Sequence, residues 1–145
     1  MTPTVKVTVT EHGSRRSAST GSAWEPVIGY SRAVRVDDAI FVTGTVGVEA
    51  DGSYAPSLKA QSRRALTIVL AAIEALGGKA ADVVRTRIYL TDIAQWREAG
   101  EAHGEVFAQV RPATTLVQVA RLIDDAALVE IEADAIVRSE PNSSP

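Results

Sequence analysis

The segment from Leu58 to Leu76 constrains the fold more than any other part of the chain. Within it Leu58, Gln61, Ala65, Val69, Ala72, Ile73 and Leu76 recur at three- and four-residue spacing, which gathers them on one stripe of a helix. Gly77-Gly78 supplies the stop. A stripe of this width packs on a sheet, and the rest of the chain offers strands. Val5, Val7 and Val9 alternate with polar neighbours, as in a half-buried strand. Ala33 to Val36 and Ala39 to Thr45 are β-rich runs around Asp37-Asp38, a spacing that suits a tight hairpin. Ile40-Phe41-Val42 is apolar without interruption, which implies burial on both faces. Val83 to Leu90 reads as a strand, with Val84, Ile88 and Leu90 on one face and Arg85, Arg87 and Tyr89 on the other.

Asp92 is placed to cap a second helix running to about Val110, packed through Ile93, Trp96 and Phe107 and ended by Pro112. Thr115 to Val119 and Leu128 to Val137 complete the strands. Glu11 to Ser22 is polar with two glycines and reads as a loop or a loosely held arm. Residues 1–137 are expected to form a single domain, and residues 138–145 a disordered polar tail. The order strand, hairpin, helix, strand, helix, strand, strand makes this an α+β chain. Two helices cover one face of one sheet. The other face mixes Thr, Arg, Glu and Tyr with apolar residues, so further copies of the chain are the economical cover.

Composition removes several kinds of chemistry. Without cysteine there is no thiol catalysis, disulfide or thiolate metal site. His103 has no ligand partner at useful spacing, since His12 lies in the loose N-terminal region, and neither metal nor cofactor is expected. Thr43-Gly44-Thr45-Val46-Gly47 follows a strand without opening a helix, so it is no phosphate loop. The formal charge of −3, with basic doublets only at Arg15-Arg16 and Arg63-Arg64, argues against nucleic acid as a partner. No apolar run approaches the roughly 18 residues that span a bilayer. Met1 to Arg16 lacks the apolar stretch of a secretory signal. A cytoplasmic location without membrane contact is expected.

Five short stretches carry more specific information: Gly29-Tyr30, Val42-Thr43-Gly44-Thr45, Arg87-Ile88-Tyr89-Leu90-Thr91-Asp92, Pro112-Ala113-Thr114-Thr115 and Val129-Glu130-Ile131-Glu132-Ala133. In this order and spacing, from about Trp24 to Val137, the chain resembles the RidA family, also called YjgF/YER057c/UK114. Its members are small trimeric proteins that hydrolyse reactive imines and enamines. The resemblance implies a chorismate-mutase-like fold, a mixed sheet covered on one face by two helices, and a homotrimer with ligand clefts between subunits. It also implies that Tyr30 lines the cleft and that Thr43 and Gly44 sit near a bound carboxylate. Glu130 matches the residue thought to position the hydrolytic water. A carboxylate suits that task, because imine hydrolysis needs an acceptor for water and a proton for nitrogen.

Thr114 stands where deaminase members carry an arginine that grips the substrate carboxylate. Its hydroxyl offers one neutral donor in place of a charged fork. Leu116 replaces a small polar or cysteine position, and His103 falls where an aromatic often occurs. The resemblance therefore implies a more apolar pocket and does not imply 2-aminoacrylate hydrolysis. Arg87 is a candidate substitute cation. The alternative is a cross-strand ladder of Arg85 and Arg87 with Glu130, Glu132 and Asp134, each pair contributing about 0.2–1 kcal/mol. Trp24 is either an aromatic wall of the cleft or a structural residue. Two functional readings remain open. One is an enzyme acting on an imine- or enamine-type metabolite, with Glu130 catalytic and Tyr30, Thr43, Gly44, Arg87, Thr114 and Leu116 shaping the substrate pocket. The other is a non-catalytic protein that uses the same cleft to hold a small molecule or dock a partner.

Overall fold

The structure is a computed structural model and describes residues 4–138. Of the expected tail, all but Arg138 lies outside the described residues. The elements are β1 (Thr8–His12), β2 (Arg15–Ser19), β3 (Ala33–Val36), β4 (Ala39–Val46), α1 (Leu58–Ala75), β5 (Val83–Leu90), α2 (Trp96–Phe107), β6 (Ala113–Gln118) and β7 (Val129–Ile136). The strands form one sheet in the order β1-β2-β3-β4-β7-β5-β6. Neighbours run antiparallel except β5 and β6, which are parallel, so the sheet is mixed. Both helices pack on one face.

The helical stripe is buried from Leu58 to Leu76 as the spacing requires. Ser57 caps α1, its hydroxyl accepting from Ala60 N–H at 3.1 Å. At the other end Gly77 takes φ +90°, and Gly78 N–H returns to Ile73 O at 2.9 Å. Arg16 of β2 and Arg35 of β3 donate to Leu76 O at 3.1 and 2.7 Å. Two cations thus meet the negative end of the helix dipole. Buried Gln61 ties three segments together. It donates to Ala55 O and Ala126 O at 2.8 and 3.0 Å and accepts from Leu128 N–H at 2.8 Å. Gly47 passes so close to α1 that an added methyl would lie 2.2 Å from Gln61 O.

Several expectations are corrected. Glu11 to Ser22 is not a loose arm: most of it belongs to the β1–β2 hairpin, which turns at Gly13 with φ +61°. The first strand accordingly starts at Thr8, leaving Val5 and Val7 ahead of it. Ile40 and Val42 are buried but Phe41 is 51% exposed, because β4 is covered by helix on one face only. Val84 is 44% exposed, since an irregularity between Val83 and Arg85 shifts the alternation and turns Val83 inward instead. Asp92 caps a short 3-10 turn, Ile93–Gln95, and α2 follows it. Ile93 and Trp96 stay exposed, while Ala99, Ala102 and Phe107 pack inward.

One irregularity positions the site. In β4, Val42 pairs with Ala133 and Thr45 with Ile131, so Thr43 and Gly44 together oppose Glu132. Such a bulge re-aims the side chains around it.

Candidate functional site

The face of β7 turned away from the helices presents Glu130, Glu132 and Asp134, because Val129, Ile131, Ala133 and Ala135 alternate with them into the core. Glu130 stands between Val46 of β4 and Tyr89 of β5. Its carboxylate lies against the bulge: a methyl on Gly44 would come within 2.9 Å of Glu130 Cδ and Oε1. Glycine is what lets the acid approach the chain so closely. Thr43 is fixed on both sides, its N–H donating to Arg32 O at 2.9 Å and its hydroxyl to Ser31 O at 2.6 Å.

Arg32 braces the same corner. Its Nη1 donates to Gly44 O at 2.9 Å and to Thr45 Oγ1 at 3.1 Å, and its Nη2 to Tyr30 Oη at 3.3 Å. The guanidinium is also 5.4 Å from the centre of the Tyr30 ring, within cation–π range. Only 6% of Arg32 is exposed. Around these groups opens a cleft of about 380 Å³, whose walls include Trp24, Ile28, Tyr30, Tyr89, Ile123 and Glu130.

Burial pushes the Glu130 carboxyl above its ordinary pKa, and the charge of Glu132 pushes the same way. The Arg32 charge opposes both. Tyr89 donates its hydroxyl to Glu132, and that bond, followed by burial, raises the Tyr89 pKa. The cleft therefore combines an acid that holds its proton more tightly than usual with a second carboxylate anchored by a phenol. Such a carboxyl can deliver a proton to a bound nitrogen and then accept one from water.

The structure brings Tyr30, Thr43, Gly44 and Glu130 together. Arg87, Thr114 and Leu116 are not in the walls of this cleft within one chain. Arg87 joins the ladder, its Nη1 lying 3.5 Å from Asp134 Oδ2. Thr114, on strand β6 at the sheet edge, shares a 2.8 Å hydrogen bond with Thr86 Oγ1 and donates to Pro112 O at 3.2 Å. Thr86 Oγ1 is in turn 2.8 Å from His103 Nε2, and His103 rests on Phe107 with ring centres 4.7 Å apart. Burial lowers the His103 pKa. Leu116 packs against the core. Trp24 does form part of the cleft wall.

Arg32 is the residue that sequence reasoning missed. The available signal was its place two residues after Tyr30, which puts both side chains on one face of an extended segment. Among the described residues no group of three His, Cys, Asp or Glu side chains could hold a metal ion. No helix among them is long and apolar enough to cross a membrane.

The family model described as Endoribonuclease L-PSP matches residues 20–137. The crystal structure of Rv2704 from Mycobacterium tuberculosis, a member of the YjgF/YER057c/UK114 family, superposes with a TM-score of 0.80. It is 47% identical, over 86% of this chain and 100% of that one. The RutC family protein UK114 of Drosophila melanogaster is 33% identical over 129 residues, covering 86% of this chain and 91% of its own. A 2-iminobutanoate/2-iminopropanoate deaminase of Dermatophagoides farinae is 30% identical over 125 residues, covering 85% and 97%.

Proposed function

Because the chain belongs to the RidA family (YjgF/YER057c/UK114), described also as Endoribonuclease L-PSP, we propose that its Glu130 cleft hydrolyses a reactive imine or enamine. The observation that carries this reading is the Glu130 carboxyl, seated on Gly44 with its proton affinity raised by burial. Protonated Glu130 gives its proton to the imine nitrogen. The resulting carboxylate takes a proton from water as the water oxygen bonds to the imine carbon. Glu130 then passes that proton to the nitrogen, and as the carbon–nitrogen bond breaks the hydroxyl of the adduct returns its proton to Glu130, releasing ammonia and a carbonyl compound. An enamine enters the same route after protonation at carbon.

The apolar side chains at the cleft favour an imine with an apolar body over a small amino-acid-derived anion. Ile28 and Ile123 are both exposed and both line it, beside Trp24. Thr114 adds only a neutral hydroxyl, so 2-aminoacrylate is not the substrate assigned. The reading includes a homotrimer, in which the β6 edge of a neighbouring copy brings Thr114 and Leu116 to the cleft. Nucleic acid is disfavoured by the net charge of −3 and by the Glu132 carboxylate in the cleft, which repels phosphate.

The test is to supply purified protein with enzymatically generated imines of varied side chain and follow ammonia release. Release faster than the uncatalysed rate, lost in Glu130→Gln, supports the proposal. Release no faster than the blank with every imine refutes it. Retention of a ligand without turnover would mark the cleft as a binding site instead.

A further inference from the structure

Arg32 borders more than the Glu130 cleft. A second cavity, of about 530 Å³, is lined by Trp24, Arg32 and Val46 together with Tyr54, Arg64 and Ile68. The first three line the cleft as well, so they form the partition between the two spaces. The volume lies within the range of small-molecule sites, about 300–1,000 Å³.

Two features of the second cavity remain unanswered by the protein itself. The hydrogen bonds of Arg32 all go to neutral oxygens, on Gly44, Thr45 and Tyr30, and among the described residues no carboxylate forms an ion pair with it. Its Nε is buried without a partner. A guanidinium this deeply enclosed is costly without a hydrogen-bonded counter-charge, and Glu130 acts on it only through space. The Tyr54 hydroxyl is also buried without a partner. Burial, followed by the charge of Asp124, raises its pKa and keeps it a donor. Arg64 is engaged already, with Val48 O at 3.0 Å and Glu49 at 3.6 Å.

We propose that this second cavity binds a small organic monocarboxylate, its anionic end on Arg32 and the Tyr54 hydroxyl, its apolar body against Trp24, Val46 and Ile68. The cavity is lined by Lys6, Arg32 and Arg64 against Glu49 and Asp124, a balance of one positive charge that suits a single negative charge better than a phosphate dianion. The site does not depend on imine hydrolysis in the neighbouring cleft, but Arg32 couples the two. Its charge holds the Glu130 pKa down. An anion on Arg32 weakens that pull, so occupancy raises the Glu130 pKa, and protonation of Glu130 leaves Arg32 freer to hold the anion.

The test uses the full chain, benzoate as probe and benzamide as its neutral counterpart, with binding read by titration calorimetry. Benzoate is expected to bind, with benzamide weaker by about tenfold or more, the difference a charge-assisted contact makes. Tyr54→Phe, which removes one oxygen, should weaken benzoate by about three- to tenfold. Glu130→Gln should bind it as well or better, and benzoate should move the Glu130 carboxyl titration, followed by carbon-13 NMR, to higher pH. Ile68→Trp, which fills the cavity, should abolish binding; where that variant does not fold, Tyr54→Phe decides. Absence of benzoate binding, equal binding of benzamide, or tighter binding of inorganic phosphate would overturn the proposal. So would benzoate binding that Glu130→Gln abolishes and Tyr54→Phe leaves intact, which would place the ligand in the cleft.

Discussion

The carboxylate of Glu130 rests against the α-carbon of Gly44, with room for a hydrogen and none for a methyl group, which would lie 2.9 Å from the acid. Gly44→Ala should therefore displace the carboxylate. The obstructing atoms are the far end of a flexible side chain, so the fold gives way there cheaply. Stability is expected to fall by no more than about 1.5 kcal/mol. Imine hydrolysis should fall by about a hundredfold, as misplacing a reacting group by roughly 1 Å does. Comparing kcat/KM with the thermal melt separates the two effects.

Glu130 also makes stability depend on pH. Its folded pKa is raised, chiefly by burial, so folding favours the protonated acid. That contribution is present in full below the ordinary carboxylate range and is lost as pH rises through the raised value. Glu130→Gln removes the group that must ionise. The variant should gain stability relative to the parent between acidic and neutral pH, read from denaturation midpoints at a series of pH values.

His103 should act in the opposite direction. Burial depresses its pKa, so the folded chain prefers the neutral imidazole beside Thr86. Its contribution holds above the ordinary imidazole value and is lost as pH falls through the depressed one. His103→Gln should flatten the stability profile on the acid side of about pH 6.5, the unperturbed histidine value. Urea midpoints between the parent and the variant measure the difference.

Gln61 holds Ala55 O, Ala126 O and Leu128 N–H at once. Gln61→Leu keeps the apolar stem but strands three backbone groups. The expected loss is about 3 kcal/mol, taking roughly 1 kcal/mol for each group left unsatisfied. Gly47→Ala should be worse, since its methyl would meet the Gln61 backbone oxygen at 2.2 Å, where no side chain can swing aside. Equilibrium unfolding in denaturant ranks the two.

The parts legible from sequence were those written in one strong period. The α1 stripe and the β3–β4 hairpin around Asp37-Asp38 fall where residue spacing puts them. The β1–β2 hairpin was hidden because every residue of β1 is exposed, so no apolar alternation is required there. The outward turn of Val84 comes from an irregularity in pairing with β7, a partner distant in sequence. Within the cleft, Tyr30, Thr43, Gly44 and Glu130 stood in recognisable stretches. Arg32 adjoins the apolar start of β3 and belongs to no familiar pattern. Its importance emerges only when the bulge at Thr43-Gly44 brings Gly44 O to its guanidinium.

The capping of α1 by Arg16 and Arg35 has a consequence for where this molecule begins as a folding unit. The match to the family model opens at residue 20, yet Arg16, outside it, holds the carbonyl of Leu76 deep within it. Trimming the chain to residues 20–137 would leave that carbonyl to Arg35 and strip β3 of the strand beside it. The border of the family match and the border drawn by cooperativity are therefore different, and a truncated version should melt at a lower temperature than its intact parent.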